Sequence, residues 1–352
     1  MGRHNPEQPW FLYLAFNAPH FPLHAPKEEI LKYADRYHAG WDKIREQRLA
    51  RMKKMGIVPP ETKLSPRSQY WDWGEAEAQV NPAWDSLPSD RRGDLARRMA
   101  IFAAMVDRMD QNIGRVLTSL KQNNELENTL IIFTSDNGAC AEWDPYGFDI
   151  RSSRNNTLYW GDQLDKMGGP DTHHSVGSGW ANASNTPWRL YKHYNHEGGI
   201  ASPGIVHWPA QIKQQGTIVS TPAHIIDIVP TLLTAAQVDY PAQWNGLKTI
   251  PLPGQSLFIP INNSPQTERT LYFEHQGNRA IREGRWKLSA LRGGPWELYD
   301  ISVDRTELND LAEKHPEVVK QLDQKWQTWA NANFVLPFPT DYRIDYLAPL
   351  KK

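Results

Sequence analysis

Residues 129–138, Thr-Leu-Ile-Ile-Phe-Thr-Ser-Asp-Asn-Gly, constrain the fold most, because a short apolar run ends abruptly in an acid, an amide and a glycine. Leu130, Ile131, Ile132 and Phe133 predict a strand covered on both faces, as in a parallel sheet. Sheets of that kind place their ligand sites beyond the carboxyl ends of the strands, which puts Asp136 and Asn137 at such an edge. A carboxylate beside an amide carbonyl supplies two hard oxygen donors, suited to Ca²⁺, with Mg²⁺ the second candidate. Gly138 lets the backbone turn without strain. Asp-Asn-Gly is equally a favoured turn sequence, so the tripeptide alone carries both readings.

Two further segments share this pattern. Trp10-Phe-Leu-Tyr-Leu-Ala-Phe16 predicts another buried strand and leads into Asn17-Ala-Pro-His20-Phe-Pro-Leu-His24-Ala-Pro26. The prolines stiffen the connection, which would hold the His20 imidazole in place and would equally suit a crossover with no chemistry. Later, Lys192 precedes Glu197-Gly198-Gly199 and the segment Ser202-Pro-Gly-Ile-Val-His-Trp-Pro209.

In their order along the chain these motifs resemble the sulfatase family, within the alkaline-phosphatase-like superfamily of metal-dependent ester hydrolases. The likeness continues through His224-Ile-Ile-Asp-Ile-Val-Pro-Thr-Leu-Leu233, Leu252-Pro-Gly-Gln-Ser-Leu257 and Trp286-Lys-Leu to Leu298-Tyr-Asp300 and Glu307-Leu-Asn-Asp-Leu311. It implies an α/β fold, a mainly parallel sheet flanked by helices over residues 1–261, and a smaller antiparallel sheet plus helix over 262–352. The implied activity is hydrolysis of aryl or carbohydrate sulfate esters. Asp136 and Asn137 would then be metal ligands, Lys192 would contact the sulfate and bridging oxygen, and His20 would serve the leaving oxygen. The alternatives are a phosphoester or phosphonate hydrolase of the same superfamily, and a non-catalytic fragment that binds cations or sulfated glycans.

The family's formylglycine motif, Cys-x-Pro-Ser-Arg, is absent, as is the strand ending in paired aspartates. Cys140, the single cysteine, lies in Ala-Cys-Ala-Glu-Trp and reads as a small residue near a loop, while Leu64-Ser-Pro-Arg-Ser68 has the wrong order and reads as a loop. The expectation is an amino-terminally truncated sulfatase, catalytically incomplete without a separate amino-terminal segment. Its other partner would be a sulfated small molecule or glycan.

Thirty-nine basic against forty acidic residues give no general argument for a nucleic-acid partner, and no apolar run approaches the roughly 18 residues a membrane span needs. The start lacks the apolar core of a signal peptide, so localisation rests on the resemblance, which leans towards the periplasm or export. Apolar residues from Leu95 to Leu120, including Val106, recur at spacings of three and four and predict a helix over about 91–122 whose stripe is core. Asp107 and Asp110 on it read as solvated charges. Residues 41–90 predict a surface excursion. Residues 139–185, with Trp143, Arg151, Arg154, Trp160, His173, His174 and Trp180, predict an aromatic loop that either binds sugar or aryl groups or simply pins itself, with the His173-His174 pair at the surface. His275 reads either as a pocket-rim residue or as a solvent-facing or packing one. Asp227 reads as a helix-entry residue, and Glu197 as part of a turn.

Overall fold

The computed structural model describes residues 8–70, 79–142, 144–149, 151–152, 158–261 and 269–337. The boundary expected at 261/262 abuts residues 262–268, and Trp143 and Arg154 fall with them outside the described residues, as does the side chain of Arg151.

Three helices build the first core: α1 (Gly40–Lys54), α2 (Ser89–Gln122) and α3 (Ser178–Asn185). Trp41 of α1, Trp84 and Trp180 of α3 meet edge to face, with centroids 4.8, 5.8 and 5.4 Å apart. The burial of Trp41 and Trp180 is tolerated because their indole donors are satisfied: Trp41 Nε1 donates to Pro82 O at 3.1 Å and Trp180 Nε1 to Leu95 O at 2.8 Å. Residues 41–90 therefore contribute core rather than a surface excursion, and 139–185 is anchored in the same core through Trp180, since burying a tryptophan removes a large apolar surface from water.

Helix α2 forms where its periodicity places it, yet the stripe is covered unevenly. Leu95, Met99 and Leu120 are buried, whereas Val106 is 37% exposed. Past its first turn burial runs all round the helix, over Asp94 to Ile101, and Arg98 Nε donates to Asp94 Oδ1 at 2.6 Å, both side chains fully buried. Asp107 accepts from Lys32 at 3.2 Å and Tyr33 at 3.1 Å, while Asp110 is exposed.

The parallel sheet does not appear among the described residues. Strand β1 (Ile131–Thr134) pairs antiparallel with β2 (Gly204–His207), in the register Ile131↔His207 to Thr134↔Gly204. Ile131, Ile132 and Phe133 are half-buried rather than covered on both faces, and residues 10–16 form no ladder, with Phe11 73% and Tyr13 81% exposed. An apolar run specifies that it can be covered on both faces; which segment covers it, and in which direction that segment runs, lies elsewhere in the chain.

The carboxy-terminal region matches the sequence closely. Strands β3 (Thr270–His275), β4 (Asn278–Glu283), β5 (Trp286–Ala290) and β6 (Glu297–Asp300) form an antiparallel sheet in the order β6-β5-β4-β3. Gln276 and Gly277 both take positive φ, 53° and 87°, which a two-residue hairpin needs to match strand twist. Helix α4 (Pro316–Ala332) starts on a proline at its first turn, where no N–H is missed, and buries Leu322 and Trp326 against Ile281, Leu288 and Leu298.

Candidate active site

The segment Asn17–Pro26 is held as a brace across residues 168–174. Leu23 N donates to His174 O at 3.0 Å, Ala25 N to Gly168 O at 3.2 Å and His24 Nε2 to Thr172 O at 2.6 Å, with Leu23 buried beneath. This leaves His20 exposed at the tip of a turn, its own N–H donating to Asn17 O at 3.0 Å. Its Nδ1 donates to Phe21 O at 2.9 Å, so Nε2 carries the lone pair. That lone pair accepts from Lys192 Nζ at 3.0 Å, across 172 positions of sequence.

Lys192 and the Asp136-Asn137-Gly138 loop are tied to the same backbone. Lys192 N donates to Ala139 O at 3.1 Å, Gly138 N to Gly199 O at 2.9 Å, and Ala139 N to the side-chain oxygen of Asn185 at 3.0 Å. The approach is so close that a Cβ on Gly138 would lie 1.9 Å from Gly198 O, and a Cβ on Gly198 2.1 Å from Leu190 O. Only glycine permits these crossings. Asp136 is exposed and its carboxylate makes no hydrogen bond or ion pair among the described residues, while Asn137 is half-buried. A hard cation fits this pair of oxygen donors in kind, as two of the six to eight that Ca²⁺ takes.

Beside the His20–Lys192 contact lies a group that the motifs do not mark. The Cys140 thiol donates to Glu142 Oε1 at 3.1 Å, and His20, Cys140 and Glu142 each present a donor atom within 4.8 Å of the others. Burial, and next the Glu142 carboxylate, push the Cys140 thiol well above its ordinary range. Burial would raise Glu142 as well, but nearby His193, the Cys140 hydrogen bond and the Lys192 charge outweigh it and lower its pKa. His193 Nε2 stands 3.9 Å from Glu142, and its Nδ1 faces His275 Nε2 at 3.2 Å. His275 thus stands beside the site, its own pKa lowered by burial and then by the charges of His193 and Lys192. One signal for this group is legible from the chain alone, its single cysteine two residues past Gly138.

The carboxy-terminal sheet holds the lysine segment from behind. Asn195 Nδ2 donates to Asn278 O at 2.8 Å and Asn278 Nδ2 to His193 O at 3.0 Å, clamping residues 193–195 to the β3–β4 turn. Glu197 is more than a turn residue. It is buried, bonded to Lys287 and Arg305 at 2.9 Å each, and Lys287 also meets Glu307 at 2.9 Å. Burial would raise the Glu197 carboxyl, but the Lys287 and Arg305 charges prevail and bring it down to about 2. Glu197 therefore holds the β5 strand rather than the Lys192 ammonium. A second knot joins Glu297 to Arg189 and His196 at 2.8 Å each. Asp227 enters its helix as expected, accepting from His224 N at 2.8 Å, and also takes Arg269 through both oxygens at 2.8 and 2.9 Å. The surface expectation fails for His174, which is 1% exposed and whose pKa burial lowers to about 3; His173 packs between Phe21 and Phe148.

The family model described as Sulfatase matches residues 2–238, two thirds of the chain. The chain belongs to the sulfatase family. A second model, for the carboxy-terminal part of N-sulphoglucosamine sulphohydrolase, matches residues 187–332, the span from the lysine segment to the end of α4. Among curated relatives, an uncharacterized sulfatase of Schizosaccharomyces pombe is 35% identical over 347 residues, covering 95% of this chain and 60% of its own length. An arylsulfatase of Klebsiella aerogenes is 32% identical over 252 residues, covering 71% of this chain and 51% of its own. The crystal structure of Ps i-CgsB in complex with k-i-k-neocarrahexaose shares the fold with a TM-score of 0.54 at 21% identity, covering 98% of this chain and 52% of that one. This sulfatase-family chain thus spans between about half and three fifths of the length of these relatives.

Proposed function

We propose that this chain forms the leaving-group side of a sulfate-ester hydrolase acting on aryl or carbohydrate sulfates, and that turnover requires a nucleophile-bearing segment this sequence does not contain. The observation that carries the reading is the 3.0 Å contact between Lys192 Nζ and His20 Nε2, beside a loop that presents Asp136 and Asn137.

Cleavage of a sulfate ester builds negative charge on the bridging oxygen. An ammonium has three N–H donors; one of Lys192's is directed at His20, leaving two for substrate oxygens. The lysine's backbone is bonded to Ala139, so little reorganisation is needed as charge develops. With His20 Nδ1 bonded to Phe21 O, Nε2 is the atom that would take a proton and give it to the departing oxygen. Asp136 and Asn137 would hold a Ca²⁺ ion, or Mg²⁺, together with carboxylates from outside this chain. In the family, a formylglycine nucleophile and that cation supply attack on sulfur and neutralisation of the sulfate oxygens.

The test incubates the purified chain with an aryl sulfate and an aryl phosphate in Ca²⁺. It is run alone and together with an amino-terminal sulfatase segment carrying Cys-x-Pro-Ser-Arg in its formylglycine form. Turnover of the sulfate only in the complemented sample is the expected result. Turnover by the chain alone would overturn the requirement for a second segment, and preference for the phosphate would overturn the substrate class.

A further inference from the structure

We propose that His20, Cys140 and Glu142 form a binding site for a borderline-soft divalent cation, Zn²⁺, separate from the hard-oxygen donors Asp136 and Asn137, and that occupancy detaches Lys192 from His20. The three donor atoms lie within 4.8 Å of one another and comprise one imidazole nitrogen, one sulfur and one carboxylate oxygen. Tetrahedral Zn²⁺ at its usual ligand distances of about 2.0–2.3 Å holds neighbouring donors roughly 3.3–3.7 Å apart. The Cys140–Glu142 separation of 3.1 Å is close to that spacing already. A Ca²⁺ or Mg²⁺ ion prefers an all-oxygen shell, so the sulfur and nitrogen select against both.

The surroundings are those of a ligand set. His20 Nδ1 donates to a backbone carbonyl, the arrangement that fixes a metal-binding imidazole's tautomer and turns Nε2 outward as the donor. The thiol proton now points at Glu142, and burial together with that carboxylate keeps it bound. Zn²⁺ would replace this proton: the S–H bond breaks, the sulfur keeps the electron pair and donates it to the metal, and the proton leaves to solvent. His193, whose Nε2 is 3.9 Å from Glu142, stands behind the carboxylate and would support it or complete the coordination. The lone pair needed from His20 is the one that accepts from Lys192, so metal and ammonium compete for it, and their charges repel.

The reading is tested without any turnover assay, so it stands or falls apart from the sulfate-ester proposal. Co²⁺ is titrated into the full chain as a spectroscopic probe, followed by Zn²⁺ in competition, against Ca²⁺ as control. Because Cys140 is the only cysteine, a sulfur-to-cobalt charge-transfer band reports this site alone. The expected result is a one-to-one band, displaced by Zn²⁺, untouched by Ca²⁺ and independent of protein concentration. Cys140→Ser should abolish the band, and Glu142→Gln should weaken binding by at least the roughly 10–100-fold typical of losing a supporting partner. Lys192→Met should strengthen binding, an effect that no misfolded variant would mimic. Absence of the band in the wild-type chain, Zn²⁺ binding unchanged in both Cys140→Ser and Glu142→Gln, or weaker binding in Lys192→Met would each overturn the proposal.

Discussion

Replacing Lys287 by methionine tests how the carboxy-terminal sheet holds the lysine segment. The Lys287 side chain is fully buried and lies 2.9 Å from both Glu197 and Glu307, which are themselves 2% exposed or less in the side chain. Methionine fills a similar volume, so the change removes charge more than packing. It strands two carboxylates: Glu197 keeps Arg305, which is 40% exposed, while Glu307 loses its cation. Removing one partner of a buried ion pair costs about 3–5 kcal/mol, because the remaining charge stays desolvated. Arg305→Ala, at a partly exposed position, should cost no more than about 1 kcal/mol. Urea denaturation at neutral pH, followed by tryptophan fluorescence, measures both.

The pH dependence adds a second constraint on the same residue. Glu197 is depressed to about 2 from an ordinary carboxylate value of 4.5, so its stabilising contribution is present above 4.5 and is lost as pH falls towards 2. In the methionine variant Glu197 keeps only the partly exposed Arg305, so its carboxylate is held ionised less firmly and takes up a proton at higher pH. The gap between wild type and Lys287→Met should therefore narrow as pH falls from 7 to 3. A cost below about 1 kcal/mol at neutral pH, or a gap that widens in acid, would refute the reasoning.

Other outcomes follow from the same geometry. In the complemented enzyme, Lys192→Met should lower kcat on an aryl sulfate by about 10²–10³-fold, as loss of a donor to developing charge does, and an unchanged rate would remove Lys192 from the chemistry. Gly138→Ala must displace the Gly198 carbonyl, 1.9 Å from the new methyl, and should lower the urea midpoint by an amount equivalent to about 1–3 kcal/mol. His174 is lowered to about 3 against an ordinary 6.5, so the unfolded chain binds its proton first and stability should decline as pH falls from about 6.5 to 3. His174→Gln should flatten that part of the profile in a pH series of thermal melts. Trp326→Ala, which empties a buried site and removes the indole donor to Phe273 O at 3.1 Å, should cost about 3–5 kcal/mol in the same denaturation assay.

Local rules made some elements readable and left others open. Strands β3 to β6 and helix α4 follow directly from turn glycines, alternation and a proline start, because each strand's partner is its sequence neighbour. Helix α2 was legible as a helix but not in its burial, since periodicity marks an apolar face without saying how far the rest of the fold reaches along it. The tryptophans of 41–90 and 139–185 were legible as large apolar groups. That Trp41, Trp84 and Trp180 meet in one core depends on α1 and α3 crossing, which no local pattern specifies.

The sequence by itself determined the family, through the order of its motifs, together with the residue types able to serve a sulfate-ester site: an imidazole at 20, oxygen donors at 136 and 137, and an ammonium at 192. Only the tertiary structure decided that His20 Nε2 and Lys192 Nζ touch, that Cys140 and Glu142 stand beside them, and that Glu197 turns away to Lys287. The reason is physical. Side-chain chemistry is fixed residue by residue, whereas a 3 Å contact between groups 172 positions apart exists only once packing has made their separation along the chain irrelevant.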